Sequence, residues 1–63
     1  MMTKNEILAA ALSIGGSIER DIWPCSFAVA QARANNELEY RGIAAEYRSL
    51  IRVLALRHVI AGK

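Results

Sequence analysis

The chain has 63 residues, a net charge of +2, and only one cysteine and one histidine. This length allows a single domain over residues 1–63 with a small hydrophobic core, and one cysteine excludes an intramolecular disulfide. A metal centre is also disfavoured, because Cys25 and His58 have no further cysteine or histidine at ligand spacing. Small proteins that lack both devices are usually stabilised by oligomerisation, which the sequence therefore favours.

The sequence contains no grouping of residues that is typical of an enzyme. Gly15 and Gly16 lack the spacing and the following lysine of a phosphate-binding loop, and no nucleophile motif surrounds any serine. Glu37 and Glu39 fall on different sides of a helix, so they do not form a carboxylate pair. We therefore predict a protein that is not an enzyme and uses no cofactor, metal or small-molecule substrate.

The first element is an α-helix over residues 4–21. Thr3 and Glu6 have the spacing of a capping box, in which each side chain bonds the other residue's backbone N–H. Apolar residues then recur at steps of three and four, which places them on one helix face: Ile7, Leu8, Ala11, Ile14, Ile18 and Ile22. Gly15 lies on this face and would let another helix approach closely. The alternative is that Gly15 and Gly16 break the helix.

The second element is a long α-helix over residues 25–60. Pro24 ends the first helix after a short loop at residues 22–24 and suits the first turn of the next helix. One apolar line with a nearly heptad spacing then runs from Cys25 to Ala61. The Asn35–Asn36 pair is the one point where this helix could bend, and Gly62 is its expected C-cap. The predicted fold is thus an all-α helical hairpin.

The two predicted helices differ in length, and this difference predicts a homodimer. At 1.5 Å per residue they are about 27 and 54 Å long, so the short helix leaves residues 44–61 of the long one uncovered. A four-helix homodimer of two hairpins would cover this apolar stretch. The predicted dimer interface comprises Tyr40, Ile43, Tyr47, Leu50, Ile51, Val53, Leu54, Leu56 and Ile60.

Four further residues are candidates for contact with another partner. Arg41, Arg48 and Arg52 fall on one stripe of the long helix, which is either a surface for phosphate or carboxylate groups or a solvated face. Trp23, beside Pro24, either anchors an interface or covers the end of the hairpin core.

The most apolar stretch, residues 50–61, is too short and too charged to span a membrane. Binding of this stretch to a membrane surface is a further alternative. No signal peptide is recognised at the N-terminus, and a lone thiol fits a reducing compartment, so we expect a cytoplasmic protein.

Two segments carry a family resemblance, residues 1–8 (MMTKNEIL) and residues 19–25 (ERDIWPC). With its length, the chain resembles the small helical proteins encoded in the exo–xis early region of lambdoid bacteriophages. The resemblance implies a non-enzymatic protein that works in the host cell and influences the choice between lysis and lysogeny. It supplies no functional residues.

Two functions follow as hypotheses. The first is a regulatory homodimer that binds a host or phage protein. The second is nucleic-acid binding through the stripe of Arg41, Arg48 and Arg52, which would weaken steeply with salt.

Overall fold

The computed structural model describes residues 1–62, which form three α-helices: α1 (Lys4–Asp21), α2 (Phe27–Tyr40) and α3 (Ala45–Ala61). The predicted all-α class is therefore confirmed. The predicted hairpin is wrong, because its long second helix is divided into α2 and α3. None of the described helices is long and apolar enough to cross a membrane.

The first helix has the predicted bounds and the predicted start. Thr3 Oγ1 accepts a hydrogen bond from the Glu6 N–H at 3.1 Å, and the Thr3 N–H donates to Glu6 Oε1 at 2.8 Å. Together these bonds form the capping box, which satisfies two backbone donors at the helix N-terminus. The helix continues through Gly15 and Gly16, so the alternative of a break there is wrong.

The second helix begins two residues later than predicted. Its N-cap is Ser26, whose hydroxyl accepts a hydrogen bond from the Val29 N–H at 3.2 Å. Pro24 consequently lies in the loop before the helix and not in its first turn. A serine hydroxyl can bond a free N–H of the first turn, which explains why the helix starts after Ser26. The helix runs without interruption through Asn35 and Asn36, so the bend considered there does not occur.

The chain turns at Gly42, where the sequence predicted a continuous helix. Gly42 has a positive φ of 69°, a conformation that glycine adopts without steric cost. Its N–H donates to the carbonyl of Glu39 at 3.0 Å, and the Ile43 N–H donates to the carbonyl of Leu38 at 3.1 Å. These two bonds are those of a Schellman motif, which ends an α-helix. The prediction missed this end because the apolar spacing continues across it.

The turn allows α3 to fold back and pack mainly against α1. The two helices are about 27 and 26 Å long, and the longest dimension of the chain is 33 Å, well below the 54 Å or so expected for the predicted long helix. One side of residues 44–61 is therefore covered within the chain, so the length difference from which the homodimer is predicted is absent. A single chain does not test the homodimer or its four-helix assembly, and both stay predictions.

Gly15 lies at a close contact between α1 and α3, so the expectation that another helix approaches closely there is confirmed. A Cβ atom on Gly15 would lie 2.9 Å from the Ala55 carbonyl oxygen and 2.9 Å from His58 Cδ2. Next to this contact, Glu19 Oε1 lies 3.8 Å from His58 Nε2. The small size of glycine thus sets the distance between the two helices.

The core contains many small side chains. Four of its ten buried hydrophobic residues are alanines, among the residues that the structure describes. The complete set is Ala11, Ile14, Ile18, Ala30, Ala34, Leu38, Ile51, Ala55, Leu56 and Val59. Small core residues let helices pack closely. Many of the larger apolar side chains are exposed on the surface instead.

Candidate interaction surface

The residues predicted to form a dimer interface separate into three groups. Ile51 and Leu56 are buried inside the single chain, at 0 and 6% exposure, so their assignment to the interface is corrected. They face the core because α3 packs on α1 within the same chain. The partly buried group packs against this core: Ile43, Tyr47 and Leu54. The exposed group, which stays a predicted interface, is Tyr40, Leu50, Val53 and Ile60.

The two tyrosines of this set have different surroundings. The Tyr47 hydroxyl accepts a hydrogen bond from the Met2 N–H at 3.3 Å, which joins the start of the chain to α3. Tyr40 is 92% exposed in the last turn of α2. A large aromatic side chain in this position is available to a partner, because almost none of its surface is used by the fold.

The three arginines predicted to form one stripe have separate partners. Arg41 Nη2 donates to Ser13 Oγ at 2.8 Å, so this side chain joins the end of α2 to α1. Arg48 Nε donates to the Ile43 carbonyl at 2.7 Å. Arg52, in turn, donates to Asn35 Oδ1 at 3.2 Å. The predicted stripe requires one continuous helix, whereas Arg41 is the C-cap of α2 and the other two lie on α3.

Trp23, the remaining candidate for partner contact, lies in the loop between α1 and α2. It is partly buried and packs against the hydrophobic core. This contact fits the interpretation that Trp23 covers one end of the core.

A polar network joins α1 to α2 and was not predicted. Arg33 Nη2 donates to Ser17 Oγ and to Asp21 Oδ2, both at 2.8 Å, and Arg33 Nε donates to Glu37 Oε2 at 3.2 Å. The Ser17 hydroxyl also donates to Glu37 Oε2 at 3.0 Å. The sequence carried a signal for it, because Ser13, Ser17 and Asp21 recur at steps of four on one helix. Arg33, Glu37 and Arg41 recur at the same steps of four along α2 and its C-terminal end.

This network shifts the pKa of two of its members. Partial burial acts to raise the pKa of Glu37, but hydrogen bonds from Ser17 and Arg33 and the nearby charge of Arg41 lower it overall. The pKa of Arg33 is raised, chiefly by its hydrogen bond to Asp21 and then by that to Glu37. Both residues therefore remain charged at neutral pH and hold α2 against α1.

One side of α3 carries a pattern that we call the outer stripe: Glu46, Leu50, Val53 and Arg57. Steps of four, three and four residues place the four side chains on the same side of the helix. All four are exposed, and Leu50 and Val53 keep 49 and 46% of their surface in solvent. The opposite side of α3 is the one that enters the core. The outer stripe is thus an apolar centre between an acidic and a basic end.

Two hollows lie on the surface of the described residues. One, of about 460 Å³, lies between the N-terminus and the Gly42 turn. The other, of about 250 Å³, is lined by Arg33, Asn36, Glu37 and Tyr40. Among the described residues, no group of three or more histidine, cysteine, aspartate or glutamate side chains is arranged to hold a metal ion.

Comparison with known proteins yields no relative. No family model, no curated protein sequence and no solved structure gives a significant match to the chain. The functional proposals below therefore depend on the geometry of the chain and on the resemblance described above.

Proposed function

We propose that this protein is a small non-enzymatic interaction module that acts as a homodimer and binds another protein. The supporting observation is how apolar residues are distributed. Four of the ten buried core residues are alanines, while nine large hydrophobic side chains are exposed among the described residues. They are Met1, Leu8, Leu12, Phe27, Val29, Tyr40, Leu50, Val53 and Ile60. Adjacent exposed apolar side chains are typical of surfaces that bind other proteins, and Leu50 and Val53 are adjacent on one side of α3.

The resemblance to early phage proteins suggests where this binding takes place. Such a module would work in the cytoplasm of the host cell and bind a host or phage protein during early infection. By occupying a surface of that protein it would influence phage development without catalysing a reaction.

The outer face of α2 is the surface that we propose for this protein partner. Tyr40 stands almost fully exposed beside the hollow that Arg33, Asn36 and Glu37 line. Tyrosine is enriched among residues that dominate binding energy, since it combines apolar surface with a hydrogen-bond donor. This face also differs from the outer stripe on α3, so one chain could use both.

The contacts of the arginines weigh against the nucleic-acid alternative. Binding to a phosphate backbone uses lysine and arginine side chains that are free to approach it. Arg41, Arg48 and Arg52 instead bond to groups of the same chain, and Arg41 lies in the turn after α2 while the other two lie on α3. The proposed partner is accordingly a protein.

A capture experiment tests this proposal. The immobilised full-length chain is mixed with lysate of a phage host, with and without nuclease, and compared with Tyr40→Ala and Glu39→Ala. Glu39 is the matched control because it is an exposed neighbour on α2 without a hydrogen bond to another helix. We expect a protein that is retained after nuclease treatment by the wild type and by Glu39→Ala and lost from Tyr40→Ala. Retention that nuclease abolishes would contradict the proposal and favour nucleic acid.

A further inference from the structure

The outer stripe has a pattern that is complementary to itself. Read forwards it is acidic, apolar, apolar and basic, and its spacing of four, three and four is the same in both directions. Two copies laid side by side in opposite directions therefore match along their whole length.

We propose that a second copy of this chain binds the outer stripe, with the two α3 helices antiparallel about a two-fold axis between residues 51 and 52. The inference rests on the homodimer of the proposed function and names its interface. In this arrangement Leu50 lies opposite Val53 of the second copy, and Glu46 lies opposite Arg57 of the second copy. A two-fold axis produces each contact twice, as in most homodimers.

The charges determine the direction of the two helices. Glu46 and Arg57 lie about 8 Å on either side of the axis, at 1.5 Å per residue. In a parallel pair, each charge would meet its own kind and repel it, whereas the antiparallel pair forms two attractive contacts. Neither residue forms an ion pair with another described residue, so both side chains are available.

The surroundings of the stripe extend the apolar contact. Ile60 is 55% exposed on one side of it, and Leu54 is partly exposed on the other. Burial of these side chains together with Leu50 and Val53 supplies the attraction, while the charged ends select the partner and its direction. The contact is confined to one side of one helix, so the dimer is weak and its population depends on protein concentration.

Charge reversal tests the interface. Sedimentation equilibrium at low ionic strength compares the wild type with Glu46→Arg, with Arg57→Glu and with an equal mixture of the two. We expect each single variant to dimerise about tenfold more weakly or worse, because two attractive contacts become repulsive. The mixture should regain the wild-type affinity, since one variant is then positive at both ends of the stripe and the other negative at both.

Two matched variants control for a general effect of charge. Glu39→Arg on α2 and Arg20→Glu on α1 reverse exposed charges away from the outer stripe and should leave dimerisation unchanged. Circular dichroism on every variant confirms that the helices are formed. Since both stripe residues are exposed, no loss of helix is expected.

The possible failures are distinguishable. A wild-type chain that remains a monomer up to about 1 mM would contradict the homodimer of the proposed function as well as this interface. Two results would overturn only the antiparallel α3 interface. One is a dimer whose affinity is unchanged by both charge reversals, and the other is a mixture that does not regain the wild-type affinity. A monomeric chain whose stripe variants lose a captured protein would assign the stripe to another protein's helix and would also overturn the inference.

Discussion

The two sides of α3 are both apolar, yet only one of them holds the chain together. On the inner side, Ile51, Ala55 and Val59 are fully buried in the core. On the outer side, Leu50 and Val53 keep nearly half of their surface in solvent. Hydrophobicity therefore does not show which side a helix uses for its own fold, and a helix with two apolar sides has one left for another molecule.

Charged ends distinguish the two sides better than hydrophobicity does. The buried side is apolar and comes so close to α1 that a Cβ on Gly15 would lie 2.9 Å from the Ala55 carbonyl oxygen. The outer side instead has Leu50 and Val53 between the charges of Glu46 and Arg57. A close helix contact needs small residues, whereas a reversible surface needs charged ends that keep the single chain in solution.

The largest contrast should come from truncating one residue on each side. Ile51→Ala should cost about 2–5 kcal/mol of stability, because it removes buried methyl groups and leaves a cavity. A domain of this size has little stability to lose, so we expect a mostly unfolded chain. Leu50→Ala should cost less than about 1 kcal/mol, because half of that side chain is already in water. Urea unfolding at low protein concentration measures both losses of stability. Equal losses would show that the two sides of α3 contribute equally to the fold.

The next largest contrast concerns two adjacent glycines. An alanine normally stabilises a helix by about 1 kcal/mol over glycine. Gly15→Ala should nevertheless destabilise the chain by about 1–3 kcal/mol, because its Cβ would press against α3. Gly16→Ala is the matched control, since its Cβ would meet only Arg20 Nη1 at 3.5 Å, an ordinary contact. Thermal unfolding should therefore shift in opposite directions for the two variants, and a shared direction would show that α1 and α3 are farther apart.

A smaller effect is expected from the polar network, which lies on neither side of α3. The pKa of Glu37 is lowered in the folded chain, so its contribution to stability is present above the ordinary glutamate value of about 4.5 and is lost as pH falls through the lower folded value. Glu37→Gln should lose about 1 kcal/mol at neutral pH and reduce the acid dependence of thermal unfolding.

The Glu37→Gln variant also tests whether the polar network and the outer stripe are independent. It should leave dimerisation in sedimentation equilibrium unchanged, because Glu37 is remote from the outer stripe. An acid dependence as steep as that of the wild type would contradict the role given to Glu37.

The sequence predicts α1 well because several local signals agree there. The capping box, the apolar spacing and the following proline all give the same bounds, and Gly15 lies on the predicted face. The division between α2 and α3 was missed because the apolar spacing ran on in phase past it. Gly42 followed by Ile43 was the available signal, since a glycine and then an apolar residue is typical of a Schellman motif.

The site was less predictable than the fold. Whether Ile51 or Leu50 faces the core depends on where α3 lies against α1, and that depends on the unpredicted turn. The prediction of an arginine stripe was wrong for the same reason, because it requires Arg41, Arg48 and Arg52 to lie on one helix. The self-complementary pattern of the outer stripe was visible in the sequence, but only the exposure of α3 shows that it is available.

Replacement of Leu50 by glutamate tests most directly whether the outer side of α3 serves association and not folding. Sedimentation equilibrium and circular dichroism on Leu50→Glu, at a concentration where the wild type is a dimer, should give a folded helical monomer. An unfolded chain would show that Leu50 holds the single chain together, and a dimer of wild-type affinity would show that the outer side is not the interface. Either result would contradict this account.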